Sequence, residues 1–462
     1  MTTRHLHAPR IDFTALRREL ELPTEFPAAA QFAAQAAAQR GHDKEGNDKK
    51  RVDRTDIGFV TLDPPSSRDL DQAVHLEKRN KGYRVRYAIA DVGAFVTPGD
   101  PLDVEANQRG QTIYLPDGKV PLHPPVLSEG AASLLPDQTR PAVLWTIDLD
   151  QDGEPTLTAL ERALIRSRAK LNYEEALPDP LALLPEIGEL LIERGLARGA
   201  IDLPVPDQEI EPDGTGWRLT LEAPRKVEEY NAQISLLTGR VAAQIMLRGR
   251  TGLLRTMPPA PKQAVDTLRK AASALNIAWP HDESVGRLLA RLRPAEPRDA
   301  AFVQQAADLL RGAAYTAFHN EEPEQRIHAG VAAPYAHVTA PLRRLADRYA
   351  TEICLALHAG TEPPTENLKD LPRTMARTDR TANAADRGAI DLVEAVLLKD
   401  RVGETFEAAV LDTDGKRSTI ALDEPPVRAR CDGSLALGTR TRVQLIEATP
   451  ETRTVRFAPA EV

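Results

Sequence analysis

Apolar residues recur with two periods along the chain. In the first third they alternate with polar ones: residues 73–78 and 83–90 do so around Asn80-Lys81-Gly82, a hairpin signal, and residues 142–149 and 156–165 pair around Asp152-Gly153. Further on, Val227, Tyr230, Ile234, Leu237, Val241 and Ile245 stand three or four apart, which predicts one core-facing helical stripe. More helices are predicted near 264–275, 298–318, 341–358 and 373–402. From Gly403 the pattern returns to short strands, at 407–412, 418–422, 427–431, 441–447 and 453–457, with Gly415, Gly433 and Gly438 between them. Strands followed by helices is an α+β order, without the strict alternation of a doubly wound sheet. No internal repeat is present.

The ends read differently. Phe13, Leu16, Leu20 and Leu22 approximate a helical face, Pro23 and Pro27 interrupt it, and residues 28–40 form an Ala/Gln helix closed by Gly41. Residues 41–56 are charged and poor in apolar side chains, so 1–55 is expected to be a small helical module with a charged linker. The five closing strands predict a barrel of the oligonucleotide-binding type over 403–462, although Phe406 and Phe457 are thin aromatic provision for stacking. Residues 56–402 form the central domain. Asp100 caps a short helix with Pro101 in its first position, and Gly110 closes it.

Between two of the apolar runs lies Thr61-Leu62-Asp63-Pro64-Pro65-Ser66-Ser67-Arg68-Asp69-Leu70-Asp71-Gln72. The apolar residues 57–62 predict a strand that Pro64-Pro65 cannot continue, which puts Asp63 at its end. Asp69 and Asp71 are two apart, so in extended chain both carboxylates leave one side and can converge with Asp63 on a cation. Oxygen ligands without His or Cys suit a hard divalent ion such as Mg²⁺ and argue against zinc. The same residues also suit a solvated acidic turn.

Composition narrows the field. The chain of 462 residues holds two cysteines, Cys354 and Cys431, far apart and without a CxxC spacing, so neither a disulfide framework nor a zinc site is suggested. No apolar run reaches spanning length and the first residues lack a signal-peptide pattern, so a soluble cytoplasmic protein without a membrane partner is expected. A net charge of -9 is awkward for a nucleic-acid enzyme and predicts a basic groove inside an acidic surface.

Further motifs follow in order: Ala88-Ile89-Ala90-Asp91-Val92, Gln111-Thr112-Ile113-Tyr114-Leu115-Pro116, Ser167-Arg168-Ala169-Lys170-Leu171-Asn172-Tyr173, Arg198-Gly199-Ala200-Ile201-Asp202, and Tyr335-Ala336-His337-Val338-Thr339-Ala340-Pro341-Leu342-Arg343-Arg344-Leu345-Ala346-Asp347. In the last, Thr339 or Ala340 can cap a helix with Pro341 in its first turn, leaving free N–H groups and Arg343 and Arg344 for a phosphate; an ordinary helix start with exposed arginines is the alternative. Asp347 can orient one of the arginines. His328 and His337 stand nearby, but metal-assisted hydrolysis needs no histidine base.

From about Thr55 to the C-terminus this ordered set resembles the ribonuclease II and R (RNB) exoribonuclease family. Asp63, Asp69 and Asp71 match three of its four motif aspartates, and Gln72 stands at the fourth. The resemblance implies an RNB-type catalytic domain followed by an S1-like barrel; residues 1–55 are too short for the family's usual two cold-shock barrels. It implies a processive 3′-to-5′ exoribonuclease that uses Mg²⁺, with Mn²⁺ as a substitute, to release nucleoside 5′-monophosphates from single-stranded RNA. Asp63, Asp69, Asp71 and Gln72 would hold metal. Arg387, before the Leu397-Leu398-Lys399-Asp400 ending, would steady charge on the scissile phosphate. Tyr114 and Tyr173 would hold the terminal nucleotides, with Thr339, Arg343 and Arg344 on the RNA. No protein partner is implied, and a monomer is expected. Because Ala333-Pro334 replaces the Glu-containing segment of the family pattern before Tyr335, a single-stranded DNA exonuclease stays open, as does an RNA-binding scaffold whose chemistry has decayed at Gln72.

Overall fold

The alternating residues of the first third build a six-stranded sheet in the order Val52–Asp53, Pro155–Leu171, Phe59–Leu62, Gln72–Arg79, Gly82–Ala90, Thr139–Leu149. This computed structural model describes residues 7–8, 11–40, 51–174, 177–205, 207–214, 216–222 and 225–460; most of the expected 41–56 linker lies outside them. The 17-residue strand Pro155–Leu171 is longer than its pattern predicts. Its first part pairs antiparallel with Thr139–Leu149, and its last residues run parallel to Phe59–Leu62. Pairing with both, it curls the sheet back on itself. Inward residues such as Val85, Tyr87, Ile89 and Trp145 are buried with Ile234, Leu237 and Val241 of the helix Lys226–Arg248, whose stripe therefore faces the sheet.

Two predicted helices are corrected. The segment 298–318 splits into the helix Pro297–Ala306, a single 3-10 turn and the strand Ala314–His319, with Gly312 at φ 85° between them. That strand pairs with Thr251–Thr256, a partner some sixty residues away that no local pattern announces. The helix expected from Pro341 begins at Leu345 and runs to Ala359. Among the described residues no helix is long and apolar enough to cross a membrane.

The C-terminal strands Thr405–Thr413, Arg417–Leu422, Arg428–Asp432, Arg440–Thr449 and Thr454–Pro459 close into a barrel. Its core does not stop at the barrel wall. Val410, Ile420, Val443 and Phe457 share one apolar cluster with Ala385, Ala389 and Val393 of the long helix Leu371–Leu398, with Ile113 and Leu115, and with Phe13 and Leu16 of the first helix. The second helix, Ala28–Arg40, buries Ala30, Ala34 and Ala37 with Leu102 and Leu127.

Glu394 sits in the seam between that long helix and the barrel, 3% exposed. It accepts hydrogen bonds from Gln208 Nε2 at 2.8 Å and from the Arg428 backbone N–H at 3.0 Å. Burial, reinforced by nearby Asp391, pushes its carboxyl up to about 7 from an ordinary 4.5. Because the folded state favours the protonated form, this stabilisation is complete below pH 4.5 and is lost as pH rises through about 7. Glu394→Gln keeps an oxygen for both donors without the charge. It is expected to stabilise the protein by roughly 1–3 kcal/mol at pH 8 and to flatten thermal stability between pH 5 and 8. An unchanged pH slope in thermal unfolding would assign that slope to other groups.

Candidate active site

Asp63 stands where the strand Phe59–Leu62 runs out, its N–H still donating to Leu171 O at 3.1 Å before Pro64-Pro65 turn the chain away. The turn is pinned from below: Lys170 Nζ donates to Pro65 O and Ser67 O at 2.7 and 2.6 Å. Ser133 then fixes the following segment, its hydroxyl accepting from the Leu70 N–H at 2.9 Å and donating to Arg68 O at 2.7 Å. Leu70 is fully buried, so its neighbours Asp69 and Asp71 leave the opposite side of the extended chain. Both open into a cleft of about 580 Å³ with Asp63, Gln72, Tyr114, Tyr173, Thr339, Arg343 and Arg344. Nine of the ten expected site residues are therefore gathered in one place. The tenth is not: Arg387 is exposed on the helix Leu371–Leu398, where its charge acts on Asp391 four residues on.

The carboxylates differ in environment. Asp71 is 3% exposed; its Oδ1 accepts the Leu342 N–H at 2.8 Å and its Oδ2 faces Arg343 Nε at 3.3 Å. Burial pushes it up to about 7, and burial pushes Asp63 up to about 6. Arg343 pulls both back in part, and the Asp63 carboxylate takes no hydrogen bond or ion pair among the described residues. Asp69 is engaged instead by Lys119 Nζ at 3.0 Å and by the Tyr114 hydroxyl at 3.4 Å.

The 339–344 segment departs from expectation. With no helix starting at Pro341, its backbone N–H groups are spent: Ala340 N–H donates to Asp347 at 2.7 Å, Leu342 N–H to Asp71, and Arg343 and Arg344 N–H to Ala340 O. The N–H groups that a helix start at Pro341 would have offered a phosphate are therefore taken. Arg344 is committed to fully buried Asp347 at 2.9 and 3.1 Å, whereas Arg343 keeps nearly half its side chain exposed toward the cleft. Gln72 Nε2 donates to Thr339 O at 2.5 Å, so its amide nitrogen ties the aspartate loop to the arginine segment.

The expected basic groove is not what lines this cleft, where Asp63, Asp69, Asp71 and Glu228 meet only two arginines. An acidic floor is what a cation-collecting site requires. Its opposite wall is a surprise from the helix Lys226–Arg248. Glu228, Asn231, Ala232, Ser235 and Leu236, at positions i, i+3, i+4, i+7 and i+8 beside the buried stripe, all face the cleft. That spacing was available in the sequence as the helix's second face. The Tyr173 hydroxyl reaches Leu62 O at 3.2 Å and shares a hydrogen bond with Asn231. Tyr335 also lines the cleft, its ring passing so close to Gly239 that a Cβ there would collide with it. Behind it His337 is buried, hydrogen-bonded to the Tyr315 hydroxyl at 2.6 Å and held well below its ordinary range, and burial lowers His328 to about 4. Both stay neutral near pH 7.

The residues fit a hard divalent cation in donor chemistry: oxygen only, with Asp71 buried against one arginine and the half-buried Asp63 carboxylate in no ion pair among the described residues. Among the described residues no group of three His, Cys, Asp or Glu is gathered closely enough to form a protein-only metal cage. Mg²⁺ does not need one, since it is held through one or two carboxylates, water and substrate phosphate.

Comparison with known proteins places this geometry. Residues 51–358 match the family model of the RNB domain, and residues 404–460 that of the RNase II-type exonuclease C-terminal S1 domain. The chain is 29% identical over 386 residues to exosome complex exonuclease RRP44 homolog A of Arabidopsis thaliana, covering 76% of this chain and 40% of that protein. It is 26% identical over 452 residues to ribonuclease R of Escherichia coli (strain K12), covering 88% and 54%. Thus it spans about half the length of these relatives. Among solved structures, Mycoplasma genitalium RNase R in complex with ribose methylated single-stranded RNA shares the fold, with a TM-score of 0.86 at 21% identity over 97% of this chain and 77% of that one.

Proposed function

The chain belongs to the RNB domain family, and on that premise we propose that it is a 3′-to-5′ exoribonuclease that hydrolyses single-stranded RNA processively to nucleoside 5′-monophosphates with Mg²⁺, for which Mn²⁺ can substitute. The observation that carries the proposal is the convergence of Asp63, Asp69 and Asp71 with Arg343, Tyr114 and Tyr173, from widely separated parts of the chain, on one cleft.

Asp63 and Asp71, with Asp69 beside them, are the residues that would hold the cation. When bound, it would supply the Lewis acidity that activates water and offsets charge on the phosphodiester. We assign Arg343 rather than Arg387 to that phosphate, since Arg343 is the more exposed of the cleft's two arginines and already faces Asp71, whereas Arg387 lies outside the cleft. Tyr114, half exposed on the hairpin Ile113–Leu115 and Gly118–Val120, offers a face on which any base can stack. Tyr173 is held by Leu62 and Asn231 at the opposite side for the terminal nucleotide. The C-terminal barrel extends the path for the strand.

A time course on 5′-labelled RNA with Mg²⁺ and with chelator, beside a matched DNA oligomer, tests the proposal. Metal-dependent loss of mononucleotides from the 3′ end of RNA is expected. Binding without release would make the chain a scaffold, and equal digestion of DNA would remove the ribose preference. Tyr114→Ala is expected to cost about 1–3 kcal/mol of binding, roughly 5- to 150-fold in Kd, read by fluorescence anisotropy in chelator. An unchanged Kd would take Tyr114 out of the RNA path.

A further inference from the structure

Lys119 plays no part in the reading above, yet it is tied directly to the acidic set. Its Nζ lies 3.0 Å from Asp69 Oδ1 and 2.9 Å from Glu129 Oε1, and less than a quarter of its side chain is exposed. The position is built in. Lys119 and Tyr114 are directly opposed in the tight hairpin, so their side chains share one face, while Ile113 and Leu115 bury the other face in the barrel cluster. The Tyr114 hydroxyl accordingly reaches Asp69 Oδ2, and both oxygens of Asp69 have protein donors. Gln72, at the fourth position of the motif, is neutral and tied to Thr339. Of the four motif positions, only Asp63 and Asp71 present carboxylates that no lysine ion-pairs: Asp71 meets the half-exposed Arg343 at 3.3 Å, and Asp63 feels Arg343 and Lys170 without an ion pair to either.

Resting on the metal-dependent reading above, we infer that Lys119 is a positioning residue that acts as a built-in cation on Asp69, so that the site takes up one divalent ion, at Asp63 and Asp71, where a two-ion site would take two. Two-ion sites hold their metals about 3.5–4 Å apart and depend on carboxylates that neutralise both. Here one motif carboxylate is absent and a second is occupied by a compact ammonium that Glu129 holds from its far side. Removing that ammonium frees Asp69 and leaves its charge uncompensated beside the cleft, which favours a second ion.

The test counts ions instead of turnover. The full chain is titrated with Mn²⁺ in the presence of adenosine 5′-monophosphate, which supplies a phosphate and cannot be degraded further by this reaction, and free Mn²⁺ is read by electron paramagnetic resonance. One tightly bound ion per chain is expected for the wild type, two for Lys119→Met, and one again for Lys119→Arg, with circular dichroism confirming that each variant is folded. Two ions in the wild type, or one ion in both the wild type and Lys119→Met, would overturn the inference and leave the nuclease reading standing. No tight Mn²⁺ in any of the three would bring down the metal-dependent reading and this inference with it.

Discussion

Asp71→Asn is expected to reduce single-turnover hydrolysis by roughly 100-fold or more while leaving RNA affinity close to wild type. The substitution is nearly isosteric. Its remaining carbonyl oxygen can still accept the Leu342 N–H that Asp71 Oδ1 accepts at 2.8 Å, so the 339–344 segment keeps its anchor. What disappears is the charge facing Arg343 at 3.3 Å and one of the two carboxylates offered to a cation. Freed from that pair, the guanidinium adds positive charge to the cleft, which can only help a polyanion to bind. The decisive comparison is cleavage with Mg²⁺ against anisotropy in chelator. Equal loss of both would make Asp71 a structural anchor for the arginine segment.

Gln72→Asp is expected to lower activity by about tenfold without lowering the Mg²⁺ concentration that gives half-maximal rate. The sequence alone puts Gln72 among the residues that would hold metal; the structure shows its amide nitrogen already engaged within the protein. Gln72 Nε2 donates to the Thr339 carbonyl, and an aspartate, shorter and acceptor-only, cannot. Thr339 O would lose its donor and a carboxylate would face its lone pairs, a cost of about 1–3 kcal/mol for a buried polar group left without a partner. Since Leu342 and Arg343 follow within four residues, that cost should appear as misplacement of the phosphate-facing arginine. A rise in activity at low Mg²⁺ would instead return Gln72 to the metal's ligands.

Deleting everything after Gly403 looks, from the sequence, like a clean test of the barrel's share in RNA binding. The packing argues otherwise. Val410, Ile420 and Phe457 are continuous with Phe13, Leu16, Ala389 and the hairpin that carries Tyr114, so truncation would expose the cluster that holds that tyrosine in place. Charge reversal on the barrel surface separates binding from folding where deletion does not.

Period and punctuation were enough to determine some of this molecule. Leu70 between two aspartates dictates that Asp69 and Asp71 share a side, because side chains alternate in extended chain whatever surrounds them. Pro64-Pro65 end a strand and Asn80-Lys81-Gly82 turns a hairpin through local backbone preference, and the five short strands after Gly403 are legible in the apolar pattern, although their closure into a barrel needs distant pairings. The ordered motifs likewise brought Tyr114, Tyr173 and Arg343 to one site before any geometry was known. What only the tertiary structure decided depends on partners distant in sequence. Residues 314–319 are a strand because Thr251–Thr256 offers them an edge. Pro341 does not open a helix because Asp71 and Asp347 claim the N–H groups a helix start would have left free. The amide of Gln72 turns to Thr339, and Lys119 reaches Asp69 across a hairpin and a loop fifty residues apart. Hydrogen bonds and ion pairs are short-ranged and directional, so their choice of partner is fixed only when packing has brought the candidates within about 3 Å of each other.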